Sequence, residues 1–105
     1  DSRGVEFLIG ALNDPEEPYE AARILGELGD ARAVKPLIAA LKSEDQLVRQ
    51  NAAWALGELG HETAIEPLEK LAGDEDPNVR KVAAEAIEKI REKMATRPAA
   101  EPQLP

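Results

Sequence analysis

Val48-Arg49-Gln50-Asn51-Ala52-Ala53-Trp54-Ala55-Leu56-Gly57-Glu58-Leu59-Gly60 is the stretch that decides the fold. Its last five residues stand 31 positions earlier as Leu25-Gly26-Glu27-Leu28-Gly29. Its Val48-Arg49 and Ala52-Ala53 return 31 positions later as Val79-Arg80 and Ala83-Ala84, and Pro36-Leu37 returns as Pro67-Leu68. A period of this size marks a stack of supersecondary units, none of which buries its apolar face alone. The first unit joins the series once its turn is shortened, which sets Leu8, Ile9 and Leu12 on Leu37, Ile38 and Leu41.

Each unit reads as two helices. Val34, Leu37, Ile38 and Leu41 recur at helical spacing, with Lys35 and Lys42 off the stripe. Asp45, and Asp76 followed by Pro77, are placed to cap the second helices of their units. The second helix of unit two ends at Gly57-Glu58-Leu59-Gly60, and Gly26-Glu27-Leu28-Gly29 is likewise a helix stop, Gly being the residue that takes the left-handed conformation closing a helix. Thr63 and Glu66 carry the spacing of a capping box. The units span about 5–30, 31–61 and 62–93. Pro18 in the first unit and Lys89-Ile90-Arg91-Glu92-Lys93 in the third break the pattern as terminal capping repeats do. Residues 98–105 have no periodicity and several prolines, and are expected to form a disordered tail.

Composition narrows the class. The 105 residues include 18 Ala and 12 Leu but 3% aromatics, which favours closely packed helices and excludes a sheet-based core. Zero Cys removes disulfides, thiol nucleophiles and zinc-finger spacings, and agrees with a reducing, cytoplasmic setting. The net charge of −8 argues against nucleic acid and anionic membrane as partners. The start, Asp1-Ser2-Arg3-Gly4, has neither a signal-peptide pattern nor an initiator Met, so the chain is expected to be a fragment or trimmed form.

The run Ala33-Val34-Lys35-Pro36-Leu37-Ile38-Ala39-Ala40-Leu41-Lys42, with Val48-Arg49 and Ala52-Ala53-Trp54-Ala55-Leu56-Gly57, resembles the HEAT-like repeats first associated with phycobilin lyases. The resemblance covers roughly residues 5–93 and implies an all-α, α-α superhelix: a short solenoid of three helical pairs. It also implies that the second helices line a concave face, and that the chain is either a binding scaffold or, alternatively, a fragment or subunit of a bilin lyase or isomerase.

Helical geometry locates a candidate surface independently. At about 100° per residue, Val48, Ala52, Ala55, Leu56 and Leu59 share one arc, the core face. Leu47, Asn51, Trp54 and Glu58 share another, with Gln50 adjoining. The equivalent positions are Glu16, Glu20, Arg23 and Glu27 in the first unit, with Tyr19 adjoining, and Asn78, Val82, Glu85 and Lys89 in the third. Aromatic and Arg side chains dominate binding hot spots. Tyr19, Arg23, Leu47, Gln50, Asn51, Trp54 and Val82 are therefore the expected protein-binding residues, for a partner of unknown identity. The alternative is that Trp54 folds over the groove as cover and binds nothing.

Sharper motifs give way to structural readings. Asp74-x-Asp76-x-Asn78 with Glu85 approaches a calcium loop, but Val79 stands where such a loop needs Gly. His61-Glu62 resembles the metal-binding pairs of HEAT-repeat hydroxylases, yet it falls in a turn and is not repeated on the second helices. Arg49 and Arg80, four residues after Asp45 and Asp76, read as structural pairing at helix starts or between units. No set of reacting groups is apparent, so the chain is expected not to be an enzyme and to carry no metal or cofactor. Residues 1–76 hold 7 basic and 17 acidic side chains, against 6 and 3 in residues 77–97. That asymmetry suits a capped final helix, and alternatively weak head-to-tail self-association.

Overall fold

The computed structural model describes residues 2–11 and 18–96, with side chains for 4–11 and 20–96. Six helices follow in chain order among these residues: α1 (Ser2–Ala11), α2 (Pro18–Leu28), α3 (Val34–Ala40), α4 (Gln46–Leu59), α5 (Ile65–Glu69) and α6 (Pro77–Thr96). Short 3-10 turns, Ala31–Ala33, Glu62–Ala64 and Lys70–Gly73, lead into α3 and bracket α5. The architecture is all-α, with three helical pairs in register along the stack. The expected tail at 98–105 lies outside the described residues.

Local chemistry sets the ends of these elements. The Asp45 carboxylate accepts the Leu47 N–H at 2.9 Å and opens α4. Asp76 accepts from Asn78 N–H at 2.7 Å and Val79 N–H at 3.2 Å, while Pro77 takes the first helical position. Gly60, at φ 68°, turns left-handed and donates to Leu56 O, and Gly29, at φ 71°, donates to Leu25 O. The capping box expected at Thr63 and Glu66 does not form. His61 instead caps the Glu62–Ala64 turn, its Nδ1 accepting the Thr63 N–H at 3.4 Å and lying 2.9 Å from the Thr63 hydroxyl. The imidazole sits two residues ahead of that N–H, where the Asp45 and Asp76 carboxylates sit in their own turns.

The second helices form the spine: α2 packs on α4 and α4 on α6, and each first helix covers its own partner. Leu25, Leu37, Leu56, Leu68, Val79 and Ile90 are fully buried between them. The core arc of α4 is wider than helical geometry alone implies, since Ala53 and Gly57 are also buried and Leu59 is only partly so. The reason is position: α4 has neighbours on both flanks. Those neighbours come very close. A methyl added at Gly26 would lie 2.7 Å from Ala55 Cα, and one added at Gly57 would lie 2.9 Å from Ala86 Cα. Gly57 and Ala86 are the 31-residue equivalents of Gly26 and Ala55, so one backbone-to-backbone seam is built twice. Seams this tight accept no extra carbon without displacement of a helix.

Candidate functional site

The helix spacing of the spine brings three elements to one groove. Arg23 and Glu27 of α2, Gln50, Asn51 and Trp54 of α4, and Val82 of α6 line a depression of about 220 Å3. Trp54 is half-buried; its ring lies against the backbone of Gly26, where an added methyl would meet the ring edge at 3.0 Å. The absence of a side chain at Gly26 is therefore what lets the indole edge approach the α2 backbone at the first seam. Trp54 both packs on the core and forms the groove wall.

The polar groups around the ring differ in how far they are engaged. Arg23 is gripped on both sides along its own helix, by Glu20 and by Glu27 at 2.9 Å. The hydrogen bond and charge of Glu20, then the charge of Glu27, raise its pKa. Asn51 Nδ2 donates to Leu47 O at 2.8 Å. The Gln50 amide has no hydrogen-bond partner among the described residues. Leu47 stands 46% exposed at the start of α4, apart from the groove lining. Tyr19 falls outside the residues whose side chains are described. The structure thus brings together Arg23, Gln50, Asn51, Trp54 and Val82 of the expected set, and sets Leu47 to one side.

The remaining charged motifs are accounted for structurally. Arg49 is buried and bridges two units: Nε lies 2.9 Å from Asp74 Oδ1, an η nitrogen donates to Oδ2 at 3.2 Å, and the other donates to Ser43 O at 2.8 Å. The Nε contact is close but poorly aligned for a hydrogen bond, so it acts as an ion pair. Arg80, the repeat equivalent of Arg49, donates to Asp74 O, the equivalent of Ser43 O. Burial pushes the Asp74 carboxyl up, but the Asp76 N–H and the Arg49 guanidinium together outweigh it and hold the pKa below the ordinary value. Lys89 reaches Glu58, and Arg91 reaches Glu69 at 3.4 Å, so these cations of α6 face acids. His61 is engaged in its turn, and among the described residues no group of three or more His, Asp or Glu side chains could hold a metal ion. Nor is any described helix long and apolar enough to cross a membrane.

The family model of HEAT repeats matches residues 5–88. Phycocyanobilin lyase subunit alpha of Picosynechococcus sp. is 44% identical over 62 residues, covering 50% of this chain and 23% of that protein. Human deoxyhypusine hydroxylase, in a structure with glycerol, superposes with a TM-score of 0.78 at 27% identity, over 94% of this chain and 36% of that one. An engineered protein superposes with a TM-score of 0.72 at 29% identity, over 88% of this chain and 47% of that one. The chain therefore spans less than half the length of each of these proteins. These likenesses correct the expectation that the chain is not an enzyme. A lyase subunit is similar in sequence over half of this chain and a hydroxylase shares its fold, and both point to an enzyme-related family. Lack of an evident reacting set misled because function resides in particular sites on a fold, and one stretch of repeats need not display them.

Proposed function

The chain belongs to the HEAT repeat family, and from that premise we propose that it is a repeat module of a bilin lyase-type enzyme, as part of a longer protein or as a subunit. Its contribution to that reaction is to hold the acceptor polypeptide on the α2–α4–α6 ridge. The likeness to a lyase subunit supports the class. The observation that carries the docking role is the convergence of Arg23, Gln50, Asn51, Trp54 and Val82 from three helices on one groove.

The dimensions of the groove favour a polypeptide over a whole chromophore. At about 220 Å3 it is smaller than the roughly 300–1,000 Å3 typical of small-molecule sites. It suits one or two side chains laid against the Trp54 face, with the Gln50 amide available to a main-chain N–H or C=O. Arg23, already held by two carboxylates, serves as a fixed wall more than as an anion trap. Docking of this kind accelerates group transfer by orientation: the reacting atoms of acceptor and chromophore meet in one geometry.

Coexpression of the chain with a bilin and an acceptor phycobiliprotein, read by the absorbance of attached chromophore, tests the class. Calorimetric titration of the acceptor into the chain tests the docking. Trp54→Ala is expected to weaken binding by about tenfold or more, the scale of a hot-spot aromatic. An acceptor that neither binds the chain nor gains chromophore in its presence overturns the proposal.

A further inference from the structure

The groove beside Trp54 carries a surplus of negative charge that the repeat itself explains. Position 27 of the first unit returns as Glu58 in the second and as Lys89 in the third. At the α4–α6 contact this sets acid against base, and Lys89 reaches over to Glu58. At the α2–α4 contact the matching positions hold Glu27 and Glu58, acid against acid, and Glu58 is already joined to Lys89. The one cation of α4, Arg49, is buried against Asp74. Glu27 therefore pairs only within its own helix and shares its partner: Arg23 is held by Oε2 of Glu27 at 2.9 Å and by Oε2 of Glu20, two carboxylates on one guanidinium. The second oxygen of each, Oε1, makes no hydrogen bond or ion pair among the described residues.

Apolar surface lies directly beside that charge, since Trp54 and Val82 line the same groove as the exposed Glu27. An aliphatic guest would cover the indole but take water from the Glu27 carboxylate without replacing it. An acidic guest would meet a like charge. A guest with an apolar stem and a cationic end satisfies both parts of the wall: the stem covers Trp54 and Val82, the cation is drawn to the indole and to Glu27. Arginine suits this best, because its planar fork stacks on an aromatic ring and donates to a carboxylate oxygen at the same time. Arg23 does not turn such a guest away, since Glu20 matches its charge and Glu27 is left over.

We propose that the groove selects an arginine side chain of the docked polypeptide, with its stem on Trp54 and Val82 and its guanidinium on Glu27. The inference rests on the reading of this ridge as a docking surface and adds the chemistry of the residue that is read there. The partner segment thereby brings to the first seam the cation that Lys89 brings to the second. The wider field favours the same guest: residues 1–76 hold 17 acidic side chains against 7 basic ones, which steers a basic segment toward the groove.

The test titrates short end-blocked peptides of Gly and Ser around a single central Arg, citrulline or Leu into the isotope-labelled chain. The indole N–H resonance of Trp54, the only Trp, reports binding. Citrulline keeps the shape of arginine without its charge. The Arg peptide is expected to bind about fivefold more tightly than the citrulline peptide, the scale of an exposed ion pair with a cation on an aromatic ring. Glu27→Gln leaves Arg23 an acceptor and should remove most of that advantage, whereas Glu66→Gln, an exposed carboxylate on α5, should leave it intact. Equal affinity for Arg and citrulline, tighter binding of Leu, equal losses in the two variants, or no response to any peptide overturns the inference. Calorimetric titration of the acceptor phycobiliprotein keeps the two readings apart. An acceptor that binds through Trp54 while the Arg peptide has no advantage overturns this inference and leaves the docking role standing. An Arg preference without acceptor binding removes that acceptor and leaves the selectivity of the groove standing.

Discussion

The two seams of the spine share one backbone contact and are finished in opposite ways. Where α2 meets α4, the Gly26–Ala55 approach is covered by the ring of Trp54, and among the described residues no ion pair joins the two helices. Where α4 meets α6, the Gly57–Ala86 approach is flanked by Arg49–Asp74 between the units and by Glu58–Lys89 across the helices. A repeat fold therefore fixes helix spacing with small residues and leaves the choice of edging free. The α2–α4 contact is edged by an aromatic; the α4–α6 contact is edged by charge, which responds to salt and pH.

The largest effect should come from removing what the seams share. Gly26→Ala and Gly57→Ala each place a methyl against backbone, and are expected to cost about 2–3 kcal/mol in urea unfolding, the scale of overpacking a tight core. If either is neutral, the close approach is not a constraint. Arg49→Met should cost about 2 kcal/mol, since it leaves Asp74 desolvated without its cation and Ser43 O without its donor. A double-mutant cycle with Asp74→Asn should return a coupling of about 1–2 kcal/mol.

The pH dependence sharpens the contrast further. Asp74 is more acidic folded than unfolded, so its contribution is fully present above the unfolded carboxylate pKa and is lost as pH falls through the lower folded value. Acid unfolding followed by circular dichroism should therefore weaken the second seam below about pH 4, and Asp74→Asn should flatten that part of the curve. The smallest effect is expected at Lys89→Ala, at most about 1 kcal/mol and fading in high salt, because that pair is exposed.

Much of this was legible in the residues. The period, the caps at Asp45 and Asp76 with Pro77, and the glycine stops at Gly29 and Gly60 are local signals, and local chemistry determines them. The ridge was legible as well, because helical spacing alone separates Gln50, Asn51 and Trp54 from the buried stripe. What escaped depends on neighbours. Of the two pairings open to Arg49, at its helix start or between units, spacing could not choose: Asp45 lies four residues away and Asp74 lies 25, and Arg49 takes Asp74 of the next unit. Ala53 and Gly57 are buried only because α6 covers the far side of α4. Thr63 looked like the cap because hydroxyls usually serve, but His61 is the residue whose acceptor nitrogen reaches the turn. The enzyme-related class was legible only through the resemblance of residues 33–57 to phycobilin lyase repeats, as the alternative reading, since a repeat records how units stack and not which reaction the assembly serves.

The placement of the lone indole gives the protein its own optical label. Trp54 lies across the first seam and in the wall of the groove, while the second seam has no Trp at all. Its emission should therefore track opening of the α2–α4 contact and filling of the groove, and sense α6 through the Val82 wall of that groove. A stack of nearest-neighbour units can come apart in stages. Were α6 to peel away first in acid, far-ultraviolet dichroism would fall steeply while the emission maximum moved only by the loss of the Val82 wall, and the larger shift would await opening of the α2–α4 contact. The gap between the two curves would read out the order of disassembly without any added dye.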